Sequence, residues 1–434
     1  MRCFSILACW CAVLLLPAAA RAQFDETETA LMHHIDAHQE EALDLLERTV
    51  NVNSGSSNVE GVHQVGEMFR AEFDALGLET RWGVGGGAHC AGHLIARHAG
   101  NAGTHLLLIG HLDTVFEPDS PFQKYEKIDD VTVRGPGVTD MKGGIVMIVL
   151  ALKAFKAAGV LDDLNVTVIL IGDEEKTCRP IEKARAELVA AGKEADVALA
   201  FENGDDDPGT AVISRRGWIQ WTVRVKGTPA HSSLIFRDDI GAGAAYEVAR
   251  ILSAFYEELQ HEEYLTFNPG IVLAGTEADY AWDRDAGTAS GKLNIVAENA
   301  VAVGDLRVLS PEQGIRVQAA MQRIVASSLP RTSAEITFEE SYPPMAPTEG
   351  NRRLLGLYDQ VSRDLDLGPV GAVNPRNAGA ADISFVAGHV DMALDGLGLL
   401  GSGRHTVEEI ADLRTLPTQT KRAALLMYRL MQGK

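Results

Sequence analysis

The 434-residue sequence predicts an α/β protein: a mostly parallel, mixed sheet with covered faces, and a separate α+β unit inserted into it. Three observations carry this. Apolar runs at Thr104–Gly110 ("THLLLIG"), Leu164–Gly172 ("LNVTVILIG") and Asp196–Glu202 ("DVALAFE") read as strands buried on both faces. Helical periodicities alternate with them, which is the pattern of a parallel sheet with crossover helices. Past Asp205–Gly209 the pattern changes, and it changes back near Pro330. A chain this long exceeds one ordinary core, so two domains are expected.

Residues 1–22 read as a signal peptide. Arg2 precedes an apolar run from Phe4 to Leu16, and Ala20-Arg21-Ala22 has the A-x-A form of a cleavage site. The run is too short for a comfortable membrane span. A lipid anchor at Cys9 has little apolar sequence before it. Cleavage after Ala22 leaves 412 residues, periplasmic or secreted, with no membrane attachment. Arg2 and Arg21 leave with the segment, so the net charge goes from −21 to −23. So acidic a chain argues against a nucleic-acid partner.

Residues 23–213 make the first part of the larger domain. Thr27–Thr49 is helical by period, and Val59–Leu76 is a second helix ended by Gly77. Gly143–Gly159 is a helix apolar almost all round, and Ile181–Gly192 is helical. The inserted unit spans 214–328. In it "VISRRGWIQWTVRVKG" alternates like a half-exposed strand, a helix covers about 240–259, and "LNIVAENAVAVGDLRV" precedes a helix over about 311–328. Residues 329–434 return to the larger domain and end on an amphipathic helix, Thr418–Met431.

The chemistry gathers at strand ends. His111 and Asp113 follow the first apolar run, and Asp140 lies among glycines in "GVTDMKGG". Glu174 and Glu175 follow the second run, and Glu202 closes the third. In open α/β sheets the carboxyl ends of strands line the ligand crevice, so these residues converge on one rim. His405, in the Gly-rich "GLGLLGSGRHTVEE", is the natural completing ligand. Imidazole with carboxylate suits zinc and its neighbours rather than calcium.

Taken singly these features are ordinary. A His-x-Asp pair is commonly a surface pair, adjacent glutamates are commonly solvated, and a loop histidine commonly does nothing. Their weight comes from occurring together, in order, at strand ends. "HHIDAH" at 33–38 is a decoy: His34 and His38 are four apart, but no Glu follows the first as in H-E-x-x-H. "GVGGG" at 83–87 is a turn, since no Lys-Ser/Thr follows it as in a phosphate loop. Cys90 and Cys178 remain after processing. They could pair in an oxidising compartment, but two cysteines make no disulfide framework; Cys178, three residues after Glu175, reads as structural rather than as a metal ligand, because Glu, Asp and His already fill the metal sites.

The ordered set "GHLDTV", "GVTDMKGG", "GDEE", Phe201-Glu202, "GTPAHSS", "NAGAADISF" and "GSGRHT" resembles a known family. These are the dizinc metallopeptidases that include bacterial glutamate carboxypeptidase, aminoacylase, carnosinase and succinyl-diaminopimelate desuccinylase. The glutamate-carboxypeptidase branch is the nearest in flavour. The resemblance implies a zinc-exopeptidase-like catalytic domain and a ferredoxin-like lid and dimerisation domain. It implies two zinc ions, with cobalt or manganese as substitutes. His111 and Glu202 would hold one, Glu175 and His405 the other, and Asp140 both, with a cis bond after Asp140. Asp113 would orient His111, and Glu174 would be the general base for a water shared by the ions. Asn294 and Arg307 would bind a substrate carboxylate. His231 would reach the partner subunit's site in a homodimer, with strand Ile219–Val225 as the lid–lid edge.

The implied reaction is exopeptidase or amidohydrolase cleavage of a C-terminal peptide or N-acyl-amino-acid bond. Small peptides and N-acyl amino acids are the expected substrates. Aminoacylase or desuccinylase chemistry is the runner-up. A periplasmic binding protein that lost catalysis is the rival from another class, and an intact Glu174 argues against it. The chain departs from its relatives twice. "KTCRP" follows the two glutamates where they often have Gly-Ser, and Tyr342-Pro343 stands where glutamate-preferring relatives have Arg-Pro. The second departure predicts a broad or aromatic and apolar preference.

Overall fold

The protein is described from a computed structural model over residues 24–433, apart from 88, 102, 283 and 285. The expected signal peptide at 1–22 lies outside the described residues. Among those described, no helix is long and apolar enough to cross a membrane.

The larger unit is built on a six-stranded mixed sheet. Its spatial order is Glu79–Gly83, His93–His98, Asn165–Ile171, His105–His111, Val197–Ala200 and Met392–Leu394. The last four strands run parallel, and the first two are antiparallel additions. All seven residues of His105–His111 are buried. Leu106 and Leu108 enter the core on one face, and Leu107 and Ile109 enter the core on the other. A run buried on both faces cannot alternate in polarity, which is why it reads as unbroken apolar sequence.

Helix Gly143–Ala157 packs between Glu26–Ala37 and Thr415–Met431, so nearly its whole surface is covered. Gly144 makes this possible at the site end: a Cβ there would meet the Phe201 carbonyl oxygen at 2.0 Å. The predicted first helix is two, Glu26–Ala37 and Gln39–Val50, broken at His38. The second is Val59–Leu76, stopped by Gly77 in the left-handed region.

The inserted unit is a four-stranded antiparallel sheet in the order Thr266–Gly275, Asn299–Val308, Gly217–Lys226, Ser333–Tyr342. Helices Gly243–Leu259 and Pro311–Ala326 cover one face, giving the βαββαβ order of ferredoxin-like folds. Ile219, Trp221, Val223 and Val225 point into this core, with Phe255 set edge-on to Trp221.

Two expectations are corrected here. Strand Ser333–Tyr342 belongs to the lid sheet, so this unit runs past the boundary read at 328/329. Strand Ile219–Val225 is no edge, because Asn299–Val308 and Ser333–Tyr342 flank it on both sides. The true edges escape sequence reading for physical reasons. Thr266–Gly275 is interrupted by Pro269-Gly270 at a bulge, which breaks its pattern and which an edge strand tolerates. Ser333–Tyr342 is mostly polar and only partly covered.

The sequence leaves the pairing of the two cysteines open. Cys90 and Cys178, 88 residues apart, form a disulfide. The fold brings the turn after Glu79–Gly83 against the loop after Asn165–Ile171. The glycine run permits the approach: a Cβ on Gly86 would stand 3.2 Å from Cys178 Cβ, and one on Gly85 would stand 2.9 Å from Cys90 Cβ.

Candidate metal centre

Three strand ends and two loops bring five donors together. His111 is the last residue of its strand. Glu175 and Glu202 lie just past theirs, Asn165–Ile171 and Val197–Ala200. Asp140 precedes helix Gly143–Ala157 and is followed by a cis peptide bond. His405 sits in the loop between Gly401–Ser402 and Ile410–Asp412, with a φ of 61°. That region is sparsely populated by non-glycine residues and is commonly found where function demands it.

The donors fall into two groups that share one member. His111, Asp140 and Glu202 form the first, and Asp140, Glu175 and His405 form the second; donor atoms within each lie within 4.8 Å of one another. Asp140 turns a different oxygen to each. Its Oδ1 is 3.1 Å from His111 Nε2, and its Oδ2 is 3.0 Å from His405 Nε2. Glu202 Oε1 stands 3.4 Å from His111 Nε2, and Glu175 Oε2 stands 3.2 Å from His405 Nε2.

The electrostatics match sites built for cations. Hydrogen bonds to Asp140 and Glu175 push His405 up to about 10. Burial opposes charge on His111, yet Glu202, Asp113 and Asp140 together hold it well above the ordinary imidazole range. Burial also opposes charge on Asp140, but the two imidazoles hold its carboxyl far below the usual range. A divalent ion held by these donors would take the place of imidazole protons. One imidazole and two carboxylates per site fit zinc, cobalt or manganese.

Asp113 organises the neighbourhood. Its Oδ1 accepts from the Glu174 amide at 3.0 Å, and its Oδ2 accepts from the Glu175 amide at 3.0 Å and from the Ser56 hydroxyl at 2.6 Å. It also faces the His111 ring: Nδ1 is 3.0 Å from the Asp113 backbone oxygen and 3.5 Å from Oδ1. One buried carboxylate therefore fixes a ring and caps the turn carrying both glutamates. In that turn the two side chains separate. Glu175 reaches His405, while among the described residues no protein donor bonds the Glu174 carboxyl. Burial, then the charge of Asp382, pushes the Glu174 carboxyl up.

Beneath the turn lies a network that sequence reading missed. Fully buried Arg185 bonds Asp173 at 2.6 Å, Asp382 at 2.7 Å and the Tyr342 hydroxyl at 3.0 Å. Tyr342 in turn donates to the Glu174 carbonyl at 3.1 Å. A cation does stand next to position 342, but two carboxylates neutralise it. In "IEKARAEL" Arg185 looks like a surface residue of a helix, and no local signal marks it as buried. Arg215, paired with Asp395 at 2.7 Å, is likewise a buried cation near the centre, and buried Lys142, whose amine burial pushes down to about 7, donates to the Val52 carbonyl at 3.1 Å.

The remaining expected residues lie in the lid and bond none of the five donors. His231 is exposed, and Ser233 Oγ lies 2.8 Å from its Nδ1. Asn294 is exposed, and its backbone carbonyl accepts from the Ser232 amide at 2.8 Å. Arg307 is half-buried, bonded through Nε to Asp305 at 3.0 Å and set over the Trp218 ring.

A mixed sheet that gathers two carboxylate–imidazole sets around a shared aspartate, under an inserted ferredoxin-like unit, defines a metallohydrolase. Residues 107–429 match the model of peptidase family M20/M25/M40, and the chain belongs to that family. It is 24% identical over 421 residues to carboxypeptidase G2 of Pseudomonas sp. (strain RS-16), spanning 96% of this chain and 95% of that one. It is 26% identical over 362 residues to succinyl-diaminopimelate desuccinylase of Acidiphilium cryptum (strain JF-5), spanning 79% and 87%. Its fold is similar to that of an M20 family metallo-carboxypeptidase, Sso-CP2 of Sulfolobus solfataricus, with a TM-score of 0.63 over 89% of this chain and 98% of that one at 18% identity. The protein is a peptidase-class hydrolase with candidate ligands for two metal ions, and peptide or acyl-amino-acid substrates fit its family.

Proposed function

We propose that the protein is an exported exopeptidase of the carboxypeptidase type, using two zinc ions to cleave a C-terminal peptide or N-acyl-amino-acid bond. The observation that carries this is the division of Asp140: its two oxygens face two different imidazole–carboxylate pairs. His111 and Glu202 would complete one ion's ligands, and Glu175 and His405 the other's. Bound there, the ions would polarise the scissile carbonyl and lower the pKa of a water between them.

The protein's own groups do the rest. Glu174 takes a proton from the attacking water and delivers it to the leaving nitrogen. Asp113 holds His111 in the tautomer that leaves Nε2 toward the centre. Arg307, with Asn294, receives the substrate's terminal carboxylate, for which a guanidinium fork is suited. The neutralised Arg185 beside Tyr342 supports a broad preference over a glutamate-specific one. The A-x-A site at 20–22 and the Cys90–Cys178 disulfide support export to an oxidising compartment.

A substrate panel on the exported protein tests this reading. Peptides and N-acyl amino acids ending in Glu, Phe, Leu and Ala should be cleaved, and chelation should stop turnover. Metal analysis should find two ions per chain, and mass spectrometry should find Gln23 at the N-terminus. Arg307→Ala should raise KM for free acids far more than for their amides. Turnover indifferent to chelator would sink the metal mechanism. Strong selectivity for C-terminal Glu would sink the broad preference.

The His231 side chain is exposed and lies against Ser233 of its own turn, which supports a role across a symmetric dimer. His231→Ala and Glu174→Ala should each be nearly inactive alone. Mixed and exchanged, they should regain activity, because one hybrid site is complete. Differently tagged chains must show that hybrids formed. Confirmed hybrids without recovery would remove His231 from the partner's site.

A further inference from the structure

Glu409 lies four residues after His405, in "RHTVEE". In the structure it is fully buried. Its Oε1 accepts from the Thr139 amide at 2.9 Å, the Thr139 hydroxyl at 3.1 Å and the Asp140 amide at 3.2 Å. Its Oε2 accepts from the Gly137 amide at 2.9 Å. Its backbone carbonyl accepts from the Gly135 amide at 3.2 Å. One residue of the His405 loop thus holds the whole segment 135–140.

The segment needs such a partner. It is irregular, with Gly137 in the left-handed region at φ 74° and Asp140 at φ −121°, ψ 84°. The amides of Gly137, Thr139 and Asp140 therefore have no helical acceptors, and an unpaired buried amide is costly. The two side-chain oxygens of Glu409 answer all three. The surrounding framework ties the same two segments together. Ile410–Asp412 pairs with Thr132–Arg134, so the strand after the His405 loop is laced to the strand before Asp140.

We propose that Glu409 is the positioning residue of the metal centre. It sets the Asp140 carboxylate between the two ion sites and locks it in register with His405. This rests on the two-ion reading above. Without Glu409 the Asp140 backbone is free to turn, and a shared ligand that turns weakens both ions at once. Glu174 and the lid are untouched, so substrate binding is spared.

The test compares zinc affinity in the full-length wild type, Glu409→Gln and Glu409→Ala, by competition with a chromophoric chelator. Melting of the metal-free forms and the split between kcat and KM complete it. Glutamine keeps one acceptor for Thr139 and Asp140 but turns an amide group toward the Gly137 N–H. It should lower affinity for both ions roughly 10–100-fold, the usual effect of losing an outer-shell partner. Its KM should hold, and kcat should recover in part at saturating zinc. Alanine should do more, and if it fails to fold, glutamine still decides. A lowered melting point with unchanged zinc affinity would make Glu409 merely structural and overturn the proposal, as would two ions bound as tightly as in wild type. A wild type that binds fewer than two ions would bring down the two-ion reading first, and this inference with it.

Discussion

Glu174→Gln is expected to retain both metal ions and lose turnover. Neither donor group includes Glu174, so its charge is not needed to hold an ion. Its contributions to the fold come from its backbone: the amide bonds Asp113 and the carbonyl accepts from Tyr342. Glutamine keeps that backbone and the side-chain volume and removes only the proton acceptor. A general base contributes roughly 10²–10⁴-fold, and kcat should fall by that much while zinc content and melting temperature stay near wild type. Glu175→Gln is the contrast, because Glu175 faces His405 in the second donor group. It should lose metal first and activity as a consequence, with rescue at high zinc. A Glu174→Gln enzyme within tenfold of wild type would remove Glu174 from the proton path.

The two glutamates are legible from their place in the chain, because a buried strand must end where its apolar run ends. His111, Glu175 and Glu202 stand just there, so the rim where the candidate donors gather can be read from the amino-acid sequence alone. Asp140 and His405 are in loops, where glycine-rich surroundings only hint at them and the ordered family motifs strengthen the hint. What stays hidden depends on contacts distant in sequence. Glu409 and Arg185 each sit among ordinary helix or loop residues, and their burial is decided by partners far along the chain. The Cys90–Cys178 bond is hidden for the same reason. The lid's edge strands escape because an edge strand covers little apolar surface and so carries little pattern.

Asp140 sets the largest expected effect on metal binding. Each of the other four candidate ligands serves one group, whereas Asp140 serves both, through different oxygens. Asp140→Ala removes a donor from each group and leaves two pairs, His111 with Glu202 and Glu175 with His405. An imidazole and one carboxylate hold zinc poorly, since stable sites use three or four protein ligands. Both ions should be lost together, by more than the roughly 10–100-fold expected for an outer-shell change. Turnover should fall to background even where excess zinc refills part of the sites. Asp140→Asn is the finer probe. An amide keeps one acceptor oxygen, so it can serve one group and must turn its NH2 to the other. It should hold at most one ion tightly, and elemental analysis after gel filtration should find about half the wild-type metal. His405→Ala and Glu202→Ala should each weaken one ion and spare the other. An Asp140→Asn protein that keeps two tightly bound ions would show that the aspartate bridges nothing.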